Sequence, residues 1–179
     1  CGEGVLSILL ANAGFNVVGV DLSKKNIEAA KNLASNLDAN IGTLEFKVAD
    51  AENLPFESDS FDYVISNHVL EHLPSFEKGL SEIYRVSRKH VVVAIPTCLN
   101  PSSWALLGGD NYWKFSGRSL FSVVFGLIRV LWALITGSNG VNEGYGAGKR
   151  QIHIFRFPWV LKRLARKKGI NLIEYKAQS

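Results

Sequence analysis

The sequence predicts a doubly wound α/β fold with a mostly parallel sheet, and three observations carry that expectation. Strand-like apolar runs alternate with amphipathic helical stretches as far as residue 96, the pattern of parallel strands joined by right-handed crossovers. Gly2 and Gly4 open a helix. A carboxylate, Asp21, closes the next strand. Glycines let a ligand approach the backbone, a helix N-terminus offers free N–H groups, and an acidic side chain at a strand end accepts hydrogen bonds from ribose hydroxyls. The stretch therefore reads as the holder of a nucleoside. The alternative at this point is a plain turn with Asp21 as a helix N-cap.

Each element has its own local signal. Glu3 to Ala13 reads as a helix that Gly14 stops. Val17 to Asp21 is an apolar run, expected to be a strand buried on both faces. Ser23 is placed to cap a helix through about Asn36, with Ile27, Ala30, Leu33 and Ala34 turned inward. Leu44 to Val48 alternates apolar and polar and reads as a strand running toward Asp50. Leu54-Pro55-Phe56 and Asp59-Ser60 mark a loop, and Phe61 to Ser66 is the next strand. Val69 to Leu73 forms a helical turn broken at Pro74. Ser75 caps a helix with Phe76, Leu80, Ile83 and Tyr84 on one face. His90 to Ile95 is a β-branched run, expected to be another buried strand, and Pro96 ends it.

Beyond residue 96 the character changes. Residues 97–117 read as a loop with Trp104, Tyr112, Trp113 and Phe115. Residues 119–136 are apolar except for Ser119, Ser122, Gly126, Arg129, Ala133 and Thr136, which recur at steps of three and four and line one narrow stripe of a helix. Residues 137–148 are rich in glycine. Ile152 to Phe155 precedes a basic helix from Pro158 to about Lys168, stopped by Gly169, and Ile170 to Tyr175 reads as a last strand.

The chain has 179 residues, 47% of them hydrophobic and 20% charged, the make-up of one globular domain with a real core. Cys1 and Cys98 are the only cysteines, which argues against a zinc site or a disulfide scaffold and for a reducing cytoplasm. Net charge is +4 but unevenly spread, −5 over residues 1–100 and +9 over residues 101–179. The segment 149–168 is basic with no acid, which suits an anionic partner or, equally, a solvated helix face. The chain begins at Cys1, inside the glycine motif, and is expected to be a piece whose first and last strands lie outside it.

Three further features separate the nucleosides. Asp50-Ala51 comes after a strand, where a carboxylate can accept from the adenine amino group. Leu54-Pro55-Phe56 and Ser60-Phe61-Asp62 come next, and Asn67-His68-Val69-Leu70-Glu71-His72-Leu73 leaves the next strand. With Cys1-Gly2-Glu3-Gly4 and Val20-Asp21-Leu22-Ser23, these segments resemble, in the same order, the class I S-adenosylmethionine (SAM)-dependent methyltransferases. They are closest to the type 11 group that includes ubiquinone and menaquinone biosynthesis methyltransferases. The resemblance covers residues 1–96, lapses to about 150, and returns weakly from His153. It implies a Rossmann-like, seven-stranded sheet with the last strand antiparallel, SAM as cofactor, and a single methyltransferase domain over 1–179 with an insert at 97–150. It also implies site residues: Gly2 and Gly4 at the amino-acid end of SAM, Asp21 on the ribose, and Leu22 against the adenine. Asp50 and Ala51 read the adenine edge, and Asn67 and His68 lie at the sulfonium side. The departure from the pattern is the family's first strand with its acidic residue, which this sequence does not contain. A nicotinamide dinucleotide fits less well, because a third glycine near Ser7 is absent and Asp50 would have no role.

Methyl transfer from a sulfonium needs alignment first, and an oxygen or carbon acceptor also needs a base. His68 is the candidate base, ahead of His72 and His153; a structural histidine is the other reading of each. Asn67-His68-Val69-Leu70 stands where methyltransferases of nucleobase amines carry Asn/Asp-Pro-Pro-aromatic, which argues against nucleic acid as substrate. The apolar stretch 119–136 spans roughly 27 Å at 1.5 Å per residue, short for a bilayer, with Arg129 near its middle. It reads either as a helix lying in a membrane interface, helped by the basic segment 149–168, or as a cap packed on the domain or a partner. Both readings place a greasy insert at the substrate edge and point to a small, lipophilic or lipid-linked acceptor for a cytoplasmic enzyme at the inner face of the membrane. A non-catalytic SAM-fold module that binds membranes or a partner is the competing class. A nucleic-acid methyltransferase is the second alternative, on the basic segment alone.

Overall fold

In the computed structural model, strand β1 (Val17–Asp21) pairs in parallel with β2 (Leu44–Val48), Val17 opposite Leu44 and Asp21 opposite Val48. The structure describes residues 1–35, 42–99, 104, 119–142 and 154–169. The chain divides into two compact units, Cys1–Asn67 with Lys78–Val92, and His68–Glu77 with Val93–Ser179.

The first unit is built on that ladder. Helix α1 (Val5–Asn12) precedes β1, and α2 (Lys24–Ala34) joins β1 to β2, which is the βαβ unit the alternation predicts. Ile8, Ile27, Ala30 and Phe46 form the buried cluster between helices and sheet. Ser23 caps α2 as expected, its Oγ accepting from the Asn26 N–H at 3.3 Å. Asn16 fastens the start of the ladder by accepting from the backbone and hydroxyl of Thr43. Strand β3 (Phe61–Asn67) pairs with β4 (Ser87–Ala94). The Phe61 N–H bonds the Val86 carbonyl at one end and the His68 N–H bonds the Ala94 carbonyl at the other, so the two strands run the same way. Helix α3 (Phe76–Arg85) crosses between them.

The second unit carries a 3₁₀ turn (Leu70–His72), helix α4 (Ser119–Ile135), the antiparallel pair β5 (Gly140–Asn142) and β6 (Ile154–Arg156), and helix α5 (Pro158–Lys167). Val130 and Ala133 of α4 meet Phe155, Phe157 and Val160 in its core, and the Cys98 thiol donates to the Phe155 carbonyl at 2.7 Å. Burial pushes that thiol up to about 11. Helix α5 begins at Pro158, where the missing N–H has no helical partner to lose, and stops before Gly169 at φ +70°.

Several expectations need correction. Strand β1 is buried only at Gly19, and β4 starts at Ser87 rather than His90, with Val92 and Val93 exposed. β-branched runs report strand propensity, whereas burial depends on what covers each face. Leu33 and Tyr84 are exposed, because the buried faces of α2 and α3 are narrower than their apolar residues. Residues Asn36, Tyr112, Trp113, Phe115, Gly144, Gly146, Gly148, His153 and the strand at Ile170 to Tyr175 lie outside the described residues.

Candidate active site

The glycine loop and the end of β1 meet as the spacing predicts. The Gly2 N–H donates to Asp21 Oδ2 at 2.8 Å, and the Ser23 N–H donates to Oδ1 at 2.9 Å. A longer bond comes from the Asn26 amide at 3.3 Å. Burial opposes the charge on Asp21, but the hydrogen bonds from the Ser23 and Gly2 backbone hold the carboxyl below its ordinary value. Asp21 thus ties the loop, α2 and β1 together.

The two glycines serve different ends. Gly2 has φ +56° and nothing within 4 Å of where a Cβ would stand. Gly4 has φ +83°, and a Cβ there would lie 2.8 Å from Ala30 and from the Phe46 ring. Gly4 is therefore demanded by the core, while Gly2 leaves open space at the head of α1. That helix has no side-chain cap, so its first N–H groups keep their donors. Beside them Leu22 is held 72% exposed. Asp50 is exposed, half-buried Ala51 is next to it, and the Asp50 carboxylate accepts from the Glu52 N–H at 2.8 Å in a tight turn.

Glu82 and Arg85 of α3 fix the loop after that turn, and the sequence alone gives them no role. Glu82 Oε2 accepts from the Leu54 N–H at 2.9 Å, and Arg85 donates to the Phe56 and Leu54 carbonyls at 2.7 and 3.0 Å. Their own ion pair, 2.8 Å, holds the Glu82 carboxyl below the ordinary value, mainly through the hydrogen bond from Arg85. The signal is an opposite-charge pair three residues apart on a helix, but nothing in the spacing says that it grips Leu54-Pro55-Phe56. Asp62 in Ser60-Phe61-Asp62 pairs with Arg88 and Lys89 of β4, at 3.0 and 2.9 Å.

Asn67 is the exposed last residue of β3, and His68 continues the chain into the second unit. His68 has φ +52°, a left-handed backbone that histidine tolerates better than most residues. Its Nδ1 lies 3.1 Å from Glu71 Oε1, and Glu71 is 2% exposed. Glu71 Oε2 is buried without a hydrogen-bond partner. With Nδ1 engaged by Glu71, Nε2 is the ring nitrogen on the far side of His68. Arg156, whose guanidinium stacks 4.2 Å from the Phe76 ring centre, is lowered by burial and supported by the charges of Glu77, Cys98 and Glu71. The structure thus brings Gly2, Asp21 and Leu22 together in the first unit and pairs His68 with Glu71 in the second; His72 is exposed beside that pair.

A family model described as a methyltransferase domain matches residues 1–95. A demethylmenaquinone methyltransferase of Oceanobacillus iheyensis is 32% identical over 131 residues, which cover 72% of this chain and 53% of the relative. A mitochondrial ubiquinone biosynthesis O-methyltransferase of Arabidopsis thaliana is 40% identical over 113 residues, 62% of this chain and 35% of the relative. The chain spans about half the length, or less, of the curated relatives it matches. A solved SAM-dependent methyltransferase of Methanosarcina mazei superposes with a TM-score of 0.66 at 22% identity, over 93% of this chain and 74% of its own. That likeness is one of fold.

Proposed function

We propose, for a chain that belongs to the methyltransferase-domain family, that it transfers a methyl group from SAM to a small, lipophilic acceptor. The observation that carries this is the Gly2–Asp21 pairing beside open space at the head of an uncapped helix. The residues fit the cofactor. Gly2 leaves room for the amino-acid end, while Gly4 lets α1 seat on the core. Asp21 is anchored by Gly2 and Ser23 and is the carboxylate that would hold the ribose diol. Leu22 offers an exposed apolar surface to the adenine face, and Asp50 and Ala51 lie at its edge. When bound, SAM supplies a methyl carbon already activated by its sulfonium.

The remaining work falls to the chain. The same proposal keeps Asn67 and His68, at the carboxyl end of β3, as the residues of the sulfonium side. His68 takes the acceptor proton on Nε2 while Glu71 holds Nδ1. The lipophilic acceptor draws support from the names of the relatives, which act on ubiquinone and menaquinone precursors by those names, and from the exposed apolar residues of α4. A cytoplasmic enzyme working at the inner face of the membrane goes with this reading. The test is to incubate the full-length protein with methyl-labelled SAM and a lysate of its own host, then extract with organic solvent. Label in the organic phase is the expected result. Label only in the aqueous or macromolecular fraction contradicts the lipophilic acceptor.

A further inference from the structure

We infer that α4 docks the protein on an anionic lipid surface, with one face in the headgroup boundary and the other packed on the protein. The inference stands on α4 and α5 alone, whether or not the acceptor is lipophilic. Helix α4 has two unlike faces. Gly126 is buried against the backbone of Trp104, where a Cβ would meet its carbonyl, and Val130 and Ala133 enter the core of the second unit. Gly126 and Ala133 of the stripe thus face inward with Val130 beside them, while Thr136 at its end is exposed. On the other side Phe121, Val124, Phe125, Ile128, Trp132 and Ile135 recur at helical spacing and are exposed, Phe121, Trp132 and Ile135 by 78, 67 and 79%. A patch of this size on one helix is the mark of an interaction surface.

Charge selects the occupant. Residues 119–142 contain no acid. Helix α5 packs on the same core through Val160 and exposes Lys162, Arg163, Arg166 and Lys167, with Lys168 just beyond and no acid from Pro158 to Gly169. Trp159 at its start is half exposed, the kind of side chain that settles at a membrane–water boundary. An exposed apolar helix face and an exposed basic helix within one compact unit match acyl chains with anionic headgroups. No helix among the described residues is long and apolar enough to cross a membrane, so the contact is one of docking.

The test is sedimentation of the full-length protein with vesicles of phosphatidylcholine alone and of phosphatidylcholine mixed with phosphatidylglycerol. The protein is expected to bind the anionic vesicles about tenfold more tightly than the neutral ones, and to lose that preference in high salt. The double variant Phe125→Ser, Trp132→Ser changes only exposed positions; it should leave the vesicles and keep its SAM affinity. Lys162→Gln with Arg166→Gln should lose the preference for anionic vesicles. Failure of the wild type to sediment with either vesicle overturns the inference. So does a wild-type dimer that the double variant turns to monomer without any change in vesicle binding. If the double variant also loses SAM affinity, its fold has failed, and the two-vesicle comparison on the wild type decides alone.

Discussion

Asp21 accepts backbone hydrogen bonds from Gly2 and Ser23 as a partly buried carboxylate, and its loss should be felt in stability as well as in binding. Hydrogen bonds to a charged group contribute about 2 kcal/mol, so Asp21→Asn is expected to lower stability by that order near neutral pH. The sign with pH comes from the lowered carboxyl. Its contribution is full above the ordinary value of 3.8 and fades as pH falls through the lower folded value. Denaturant titrations of wild type and Asp21→Asn should therefore converge as pH drops below about 4; a constant gap would contradict the assignment. At His68 the variant of choice is His68→Asn, which tolerates the φ of +52° but cannot act as a base. Turnover is expected to fall about a hundredfold with SAM affinity unchanged. Glu71→Gln should shift the pH–rate profile and leave SAM affinity alone, whereas a purely structural Glu71 would leave the profile in place. Gly2 and Asp21 are legible from their spacing. The difference between Gly2 and Gly4 is not, because only the packing of Ala30 and Phe46 shows which glycine is filled by the core.

Among the elements, α4 is where sequence and structure inform each other most. The periodicity of Ser122, Gly126 and Ala133 defines a stripe, but a stripe of small residues does not say whether it or the apolar majority faces the protein. The structure answers with Gly126 against Trp104. Gly126→Val is expected to destabilise this packing by roughly 2 kcal/mol through overpacking, read as a lower melting temperature and a changed Trp104 fluorescence. A neutral or stabilising outcome would mean that α4 does not lie on Trp104. Strand β4 shows the opposite lesson. Its β-branched run signals the strand, but the exposure of Val92 and Val93 depends on cover that no local pattern encodes. The grip of Glu82 and Arg85 on Leu54 and Phe56 is equally hidden, since it joins groups 28 to 31 residues apart.

At the scale of the whole molecule, the alternation of strands and helices up to residue 96 is enough to give the α/β class, and the family model covers nearly the same stretch, residues 1–95. The chain beyond residue 96 carries the apolar and basic surface instead. Its chemistry is readable only as composition until α4 and α5 are seen to share one core. The charge division runs along the same line, −5 before residue 101 and +9 after it. The Gly2–Asp21 loop and the exposed apolar and basic helices therefore belong to different stretches of chain. If the Gly2–Asp21 loop holds SAM, calorimetric titration of SAM into the full-length protein and its Asp21→Ala variant will show it. The wild type is expected to bind and the variant to bind at least about tenfold more weakly, the equivalent of about 1.4 kcal/mol. Equal affinity in the two proteins, or no binding by the wild type, would contradict it.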